Sequence, residues 1–220
     1  MFVERFVSKY ILPRIGSKNV LIGIDGGQGA GKTYFIAEIQ KAFKALSVVQ
    51  ERAIIVLETD DFLIERSKRE HLSADFFNDI SNLGALFDFS KAAEILRLSA
   101  SLHTTQYLLT RLYNTETGKC DCSRLLSFKE QNIVLVGGPY LLESSYPVFD
   151  LRVFLDVDEE RRLYNTLERN EGRSRSAASQ RSLFQNFEKF YKPYFDARMC
   201  EYDVIIDNTD FHARKIVQTL

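Results

Sequence analysis

Eight consecutive residues, Gly26-Gly27-Gln28-Gly29-Ala30-Gly31-Lys32-Thr33, constrain what this chain can become more than any other segment. They complete the pattern Gly-x-x-x-x-Gly-Lys-Ser/Thr, in which glycines let a loop take left-handed angles and bring backbone N–H groups against phosphate oxygens with no Cβ in the way. Lys32 is placed to set a point charge on the β and γ phosphates of a nucleotide, and Thr33 to offer its hydroxyl to Mg²⁺ at the positive end of the next helix. The apolar run Val20–Ile24 precedes the motif, and in the helical stretch after it Phe35, Ile36, Ile39, Phe43 and Leu46 share one face. Without that context the segment reads as a flexible glycine turn.

A strand, a phosphate-binding loop and a helix in that order belong to an α/β architecture, and the rest of the chain keeps the alternation. Short runs rich in Val and Ile predict strands at Val20–Asp25, Ala53–Glu58, Ile133–Val136, Leu151–Asp156 and Asp203–Asp207. Helical periodicity predicts helices at Gly31–Leu46, Ser73–Ile80, Lys91–Ala100, Glu159–Asn170 and Ala177–Phe190. Pro193 then marks a helix end or kink, since proline lacks the backbone donor and clashes with the preceding turn. Tyr107–Tyr113 reads equally well as strand or helix. The expected fold is a doubly wound, mostly parallel sheet of the P-loop NTPase type, in one domain spanning residues 1–220. A helical, Arg-rich lid is expected at about residues 169–181, a polar stretch able to cover a site.

Charge narrows the partners. The 220 residues carry 29 basic and 30 acidic side chains, for a net charge of -1, so no chain-wide positive field favours nucleic acid, and any anion site has to be local. A content of 45% hydrophobic and 27% charged residues suits a folded globular chain rather than a disordered one. The three cysteines, Cys120, Cys122 and Cys200, form neither a disulfide framework nor a zinc pattern, which points to a reducing, cytoplasmic setting. No run approaches the roughly 20 apolar residues of a membrane-spanning helix. Glu4, Arg5 and Lys9 interrupt Met1–Leu12, so it is not a secretory leader. Its apolar Phe2, Val3, Phe6, Val7, Tyr10 and Ile11 recur at helical spacing and predict an amphipathic helix within residues 1–16, docked on the core rather than on a membrane.

The second strand candidate runs into Thr59-Asp60-Asp61-Phe62-Leu63. In an open parallel sheet ligands bind beyond the carboxyl ends of the strands, so these acids are expected on the same edge as the phosphate loop. A carboxylate there can orient a hydroxyl nucleophile and take its proton, and Asp60 is the candidate base. The plainer alternative is that Thr59, Asp60 or Asp61 caps the next helical turn.

With these residues in view, the chain resembles the uridine kinase-like branch of the P-loop kinases, which also includes pantothenate kinase and phosphoribulokinase. Besides Gly26–Thr33, the element Thr59–Leu63 is similar to the family's acid-x-aromatic segment, its first acid matching Asp60. Leu86-Phe87-Asp88 is similar to the end of its Ala-Phe-Asp element, and Tyr113-Asn114, closed by Lys119, to its nucleoside-contacting loop. Leu151–Asp156 followed by Arg161, Arg162, Arg169, Arg173 and Arg175 is similar to its strand and Arg-rich lid, and Glu201–Ile206 to its closing strand.

The resemblance implies ATP (or GTP) and Mg²⁺ as cofactors, with Gly26 to Thr33 holding the nucleotide and Thr33 and Asp60 holding the metal. It also implies Asp60, Lys32, Arg169 and Arg173 as catalytic groups, and Asp61, Asp88, Tyr113, Asn114 and Lys119 at the acceptor. The partner so implied is a small-molecule hydroxyl acceptor, a nucleoside first and pantothenate or another metabolite second. Nucleic acid and membrane are not expected partners, and a homo-oligomer is compatible with the sequence.

Three positions depart from the family's pattern. The central strand ends Val136-Gly137-Gly138 where the family has Val-Glu-Gly, Asn82-Leu83-Gly84 stands where its acid-His-Pro does, and Gly118 lies near the place of a His. The first of these motivates the alternative of a nucleotide-binding regulatory module without catalysis.

Overall fold

The computed structural model describes residues 2–16, 19–46, 51–101, 106–142, 149–169 and 176–219. Strands β1 (Val20–Asp25), β2 (Ala53–Glu58), β5 (Asn132–Gly137), β6 (Leu151–Asp156), β7 (Val204–Asp207) and β8 (Lys215–Thr219) form one sheet in the order β2-β5-β1-β6-β7-β8. Every neighbouring pair is parallel except β7 with β8. A separate antiparallel hairpin pairs β3 (Gln106–Leu112) with β4 (Cys122–Ser127).

Alternation along the strands feeds two cores. Val20, Ile22, Ile24, Ile133, Leu135, Val153, Leu155, Val204 and Ile206 point to one face. There they meet Phe35, Ile36, Ile39 and Phe43 of α2 (Lys32–Lys44) and the N-terminal helical segment. Val134, Val136, Phe154 and Ile205 point to the other face, against α4 (Phe89–Ser101) and α6 (Ala177–Arg198). Strands buried on both faces read as continuous apolar runs, which is why the parallel strands were legible from sequence. The fold is thus the expected mostly parallel, helix-covered sheet.

Several local expectations are corrected. The N-terminal segment is helical and docked through Val3, Phe6, Val7, Tyr10 and Ile11, but it changes pitch: α1 (Phe2–Phe6) passes into a π-helical turn at Val7–Ile11 and a 3₁₀ turn at Leu12–Arg14. The Ser73–Ile80 region is 3₁₀ rather than α, in turns at Ala74–Asn78 and Ile80–Ala85, each begun by a capping side chain, Ser73 or Asp79. The short α3 (Arg66–Arg69) lies ahead of them. The ambiguous Tyr107–Tyr113 resolves as strand through Leu112, within β3. Of the two readings of Pro193, a helix end or a kink, the helix end is overturned, because α6 continues through it to Arg198. Buried Phe190, Tyr191 and Tyr194 flank it, and their packing against the sheet outweighs the lost hydrogen bond.

Candidate active site

The carboxyl ends of β1, β2, β5 and β7 open on one cavity of about 670 Å³. Its wall includes Gln28 to Thr33 from the glycine loop and Glu58 and Asp60 from the end of β2. Gly137 to Tyr140 come from the end of β5, and Asn208 from the end of β7. Helix α5 (Glu159–Arg169) adds Arg161, Asn165 and Arg169, while α6 adds Phe187, Glu188 and Tyr191.

The glycine loop is braced from behind by side chains. Asn165 Nδ2 donates to the carbonyl of Gly29 at 2.9 Å, and Asn208 Nδ2 donates to that of Ala30 at 2.8 Å. Gly29 and Gly31 sit at φ +78 and +84, the left-handed region, and a Cβ on Gly29 would run into the Arg162 carbonyl and the Thr166 hydroxyl. Only glycine satisfies both the angle and the space. Arg162 is buried beneath the loop, donating to both carboxylate oxygens of Glu188 at 2.6 Å and to the Val157 carbonyl at 3.0 Å. At the loop's entry Asp25 accepts from the Gly26 N–H at 2.6 Å, from the Leu141 N–H at 2.9 Å and from the Tyr202 hydroxyl at 2.8 Å. Burial pushes the Asp25 carboxyl above the usual carboxylate range, and these three donors oppose the rise.

Helix α2 begins at the loop with no side-chain cap, so its first N–H groups remain available to an anion. Lys32 Nζ donates to the carbonyls of Gly26 at 2.6 Å and Gly27 at 2.9 Å, holding the ammonium over the loop. Burial lowers its pKa to about 8, while Asp60 and Asp25 pull it upward and Arg169 and Arg162 press it down. A cradle in which a Cβ has no room, an uncapped helix start and one ammonium fit a polyphosphate.

For a divalent cation the neighbouring donors are all oxygens: the Thr33 hydroxyl, Asp60 and Glu58. Thr33 Oγ1 donates to Glu58 Oε1 at 3.1 Å. Burial raises the Glu58 carboxyl, the Thr33 hydrogen bond opposes this, and Asp60 and Asp61 add to it. Among the described residues no group of three or more His, Cys, Asp or Glu forms a metal cage by itself. The oxygen donors Thr33, Asp60 and Glu58 suit Mg²⁺, which takes one or two carboxylates and fills the rest of its shell with water and phosphate oxygens.

The candidate residues divide. Lys32, Thr33 and Asp60 share the cavity wall with Arg169. Asp61 turns away: its carboxylate pairs with Arg124 of β4 and accepts from the Glu58 N–H at 3.4 Å, closing the 3₁₀ turn Thr59–Phe62 as a capping box. Asp88 caps α4, accepting from the Ser90 hydroxyl at 2.9 Å and the Lys91 N–H at 3.0 Å. The Asn114 side chain organises the turn that its backbone closes with Lys119. Tyr113 stands one layer behind the wall, its hydroxyl accepting from Arg69, which does line the cavity. Arg173 lies outside the described residues, as do residues 170–175 of the expected lid, while 177–181 form the first turns of α6.

Phe87, from the Leu86-Phe87-Asp88 element, lines the cavity, while Glu188, Asn208 and Arg214, with Tyr140 and Phe187, reach it without a motif to announce them. A polar residue directly after a strand's carboxyl end, such as Asn208 after β7, was the one readable signal.

A glycine loop gripped between helix and strand, with an acid facing it from the next strand end, defines a P-loop kinase. The chain belongs to the phosphoribulokinase/uridine kinase family, whose model matches residues 21–213. It is 26% identical over 171 residues to a uridine kinase of Macrococcus caseolyticus, covering 74% of this chain and 75% of the relative. A structure from Bacillus stearothermophilus described as a possible uridine kinase superimposes with a TM-score of 0.67 at 21% identity, covering 93% of this chain and 97% of that one. The YGR205w protein gives the same TM-score of 0.67 at 15% identity, over 98% and 96%. These two likenesses speak to the fold. Among the described residues no helix is long and apolar enough to cross a membrane.

Proposed function

We propose that this kinase transfers the γ-phosphoryl group of ATP, held with Mg²⁺, to a hydroxyl of a small molecule, with a nucleoside as the leading acceptor and pantothenate or another hydroxylated metabolite as the second. The observation that carries this reading is the placement of Lys32, Thr33 and Asp60 on the wall of one cavity, around the glycine loop. The Macrococcus relative's description as a uridine kinase supports a nucleoside, as do the rings of Phe87, Tyr140 and Phe187 in the wall, which can pack against a flat base.

In this reading the loop N–H groups and the start of α2 bind the phosphates, and Lys32 neutralises the β and γ oxygens. Thr33 and Asp60 would hold Mg²⁺, which supplies charge neutralisation across the phosphate oxygens when bound. Asp60 orients the acceptor hydroxyl. As its oxygen bonds to the γ phosphorus, the proton passes to the Asp60 carboxylate, the bond from γ phosphorus to the bridging oxygen breaks, and ADP leaves. Arg169, and Arg173 from the lid, would stabilise the charge that spreads over the equatorial oxygens.

The test is acceptor-dependent ADP release with Mg-ATP and a panel of nucleosides, pantothenate and other hydroxylated metabolites. Asp60→Asn should lower turnover by about 100- to 10,000-fold, the usual contribution of a positioned base, with nucleotide affinity retained. Tight nucleotide binding with no turnover on any acceptor would favour a regulatory module instead.

A further inference from the structure

The Thr33 hydroxyl has one described partner that the phosphotransfer scheme leaves without a role, Glu58. Glu58 is the last residue of β2 and pairs in register with Gly137, the last residue of β5, and both line the cavity. Its position is set from two sides. The Glu58 side chain accepts from the backbone of the 3₁₀ turn that carries Asp60, and its second tie is the 3.1 Å bond from Thr33 at the start of α2. Because the Thr33 hydroxyl spends its proton on Glu58, its oxygen lone pairs are left for another partner. The neighbouring strand end offers no side chain at all, since residues 137 and 138 are both glycine. A Cβ at Gly138 would overlap the Thr59 side chain, and one at Gly137 would press on Ile36 Cδ1.

Resting on the phosphotransferase reading above, we propose that Glu58 is the outer-sphere carboxylate of the nucleotide's divalent cation, fixing the Thr33 hydroxyl with its lone pairs outward and accepting hydrogen bonds from water on the metal. Asp60 keeps the roles given to it above, toward the metal and toward the acceptor hydroxyl. The role is a positioning one, exerted through Thr33 and through water, and partners of this kind are typically worth 10- to 100-fold in metal affinity.

The experiment is calorimetric titration of ADP and of a non-hydrolysable ATP analogue with and without Mg²⁺, together with electron paramagnetic resonance of Mn²⁺ in the ternary complex. The variants are Glu58→Gln, Thr33→Val and, as a control for charge removed elsewhere in the cavity, Glu168→Gln. Glu58→Gln should keep or tighten metal-free nucleotide affinity while losing at least about tenfold of the gain that metal brings, with weaker Mn²⁺ in the complex. Thr33→Val should lose the same gain from the other side of the bond, and Glu168→Gln should keep it.

An unchanged metal gain in Glu58→Gln overturns the assignment, whether or not its turnover falls. An equal loss in Glu168→Gln also overturns it, by reducing the effect to general charge. Failure of the unsubstituted protein to bind nucleotide with or without metal would instead remove the phosphotransferase reading on which the assignment stands.

Discussion

The hydroxyl of Tyr202 donates a 2.8 Å hydrogen bond to the carboxylate of Asp25 across 177 positions of chain. That carboxylate also receives the N–H of Gly26, where the phosphate loop begins, and the N–H of Leu141, beyond the end of β5. One buried side chain therefore ties the loop, the β5 end and the approach to β7 together. Tyr202→Phe removes one donor and leaves a buried acceptor short of a partner. It should cost about 1–3 kcal/mol in urea unfolding, and Asp25→Asn, which turns an amide toward existing donors, should cost more. An unchanged midpoint in both variants would show that the tie is idle.

Arg162 and Glu188 form a second brace beneath the loop, with side chains 6% and 14% exposed. Removing one member strands the other charge away from water. Arg162→Met should lose about 3–5 kcal/mol of stability, and Arg162→Lys should not rescue it, since an ammonium cannot match the two parallel bonds. Because Arg162 backs Gly27 and Gly29, nucleotide affinity measured by calorimetry should fall along with the unfolding free energy.

Lys32 makes the nucleotide site sensitive to alkali. Its pKa of about 8 lies below the ordinary lysine value of 10.5, so the ammonium proposed to grip phosphate loses its charge as pH rises through 8. Bound phosphate favours the charged form and lifts the pKa in the complex, so affinity declines between those two pKa values and levels off above them. Calorimetric titrations from neutral pH into the alkaline range should show a loss approaching tenfold per pH unit above about 8. A flat profile there would mean that Lys32 keeps its charge or does not meet the phosphates.

The parts of the fold and site that were legible are those encoded by neighbouring residues. The glycine loop declares itself because angle, space and charge are all local demands, and β1 and β2 fall at their predicted boundaries because both are continuous apolar runs up to a closing acid. Strand β4 was hidden by Cys122, Ser123, Arg124 and Ser127, which have little strand preference, and gains its order from pairing with β3. Strand β8 alternates between half-buried and exposed residues at the sheet edge, too weak a pattern in a stretch of five residues. Within the site, Asp60 was readable from its place after a strand. The turn of Asp61 toward Arg124, and the meetings of Arg162 with Glu188 and Thr33 with Glu58, depend on elements brought together only by the fold.

The central claim is that the loop around Lys32 holds a polyphosphate whose terminal phosphorus faces Asp60. A crystal structure with Mg²⁺ and a non-hydrolysable ATP analogue tests it most directly. The account predicts phosphates lying against the N–H groups of residues 29–33, with Lys32 Nζ on the β and γ oxygens and the Asp60 carboxylate across from the γ phosphorus. A nucleotide seated elsewhere, or an Asp60 side chain directed away from the γ phosphorus, would contradict it.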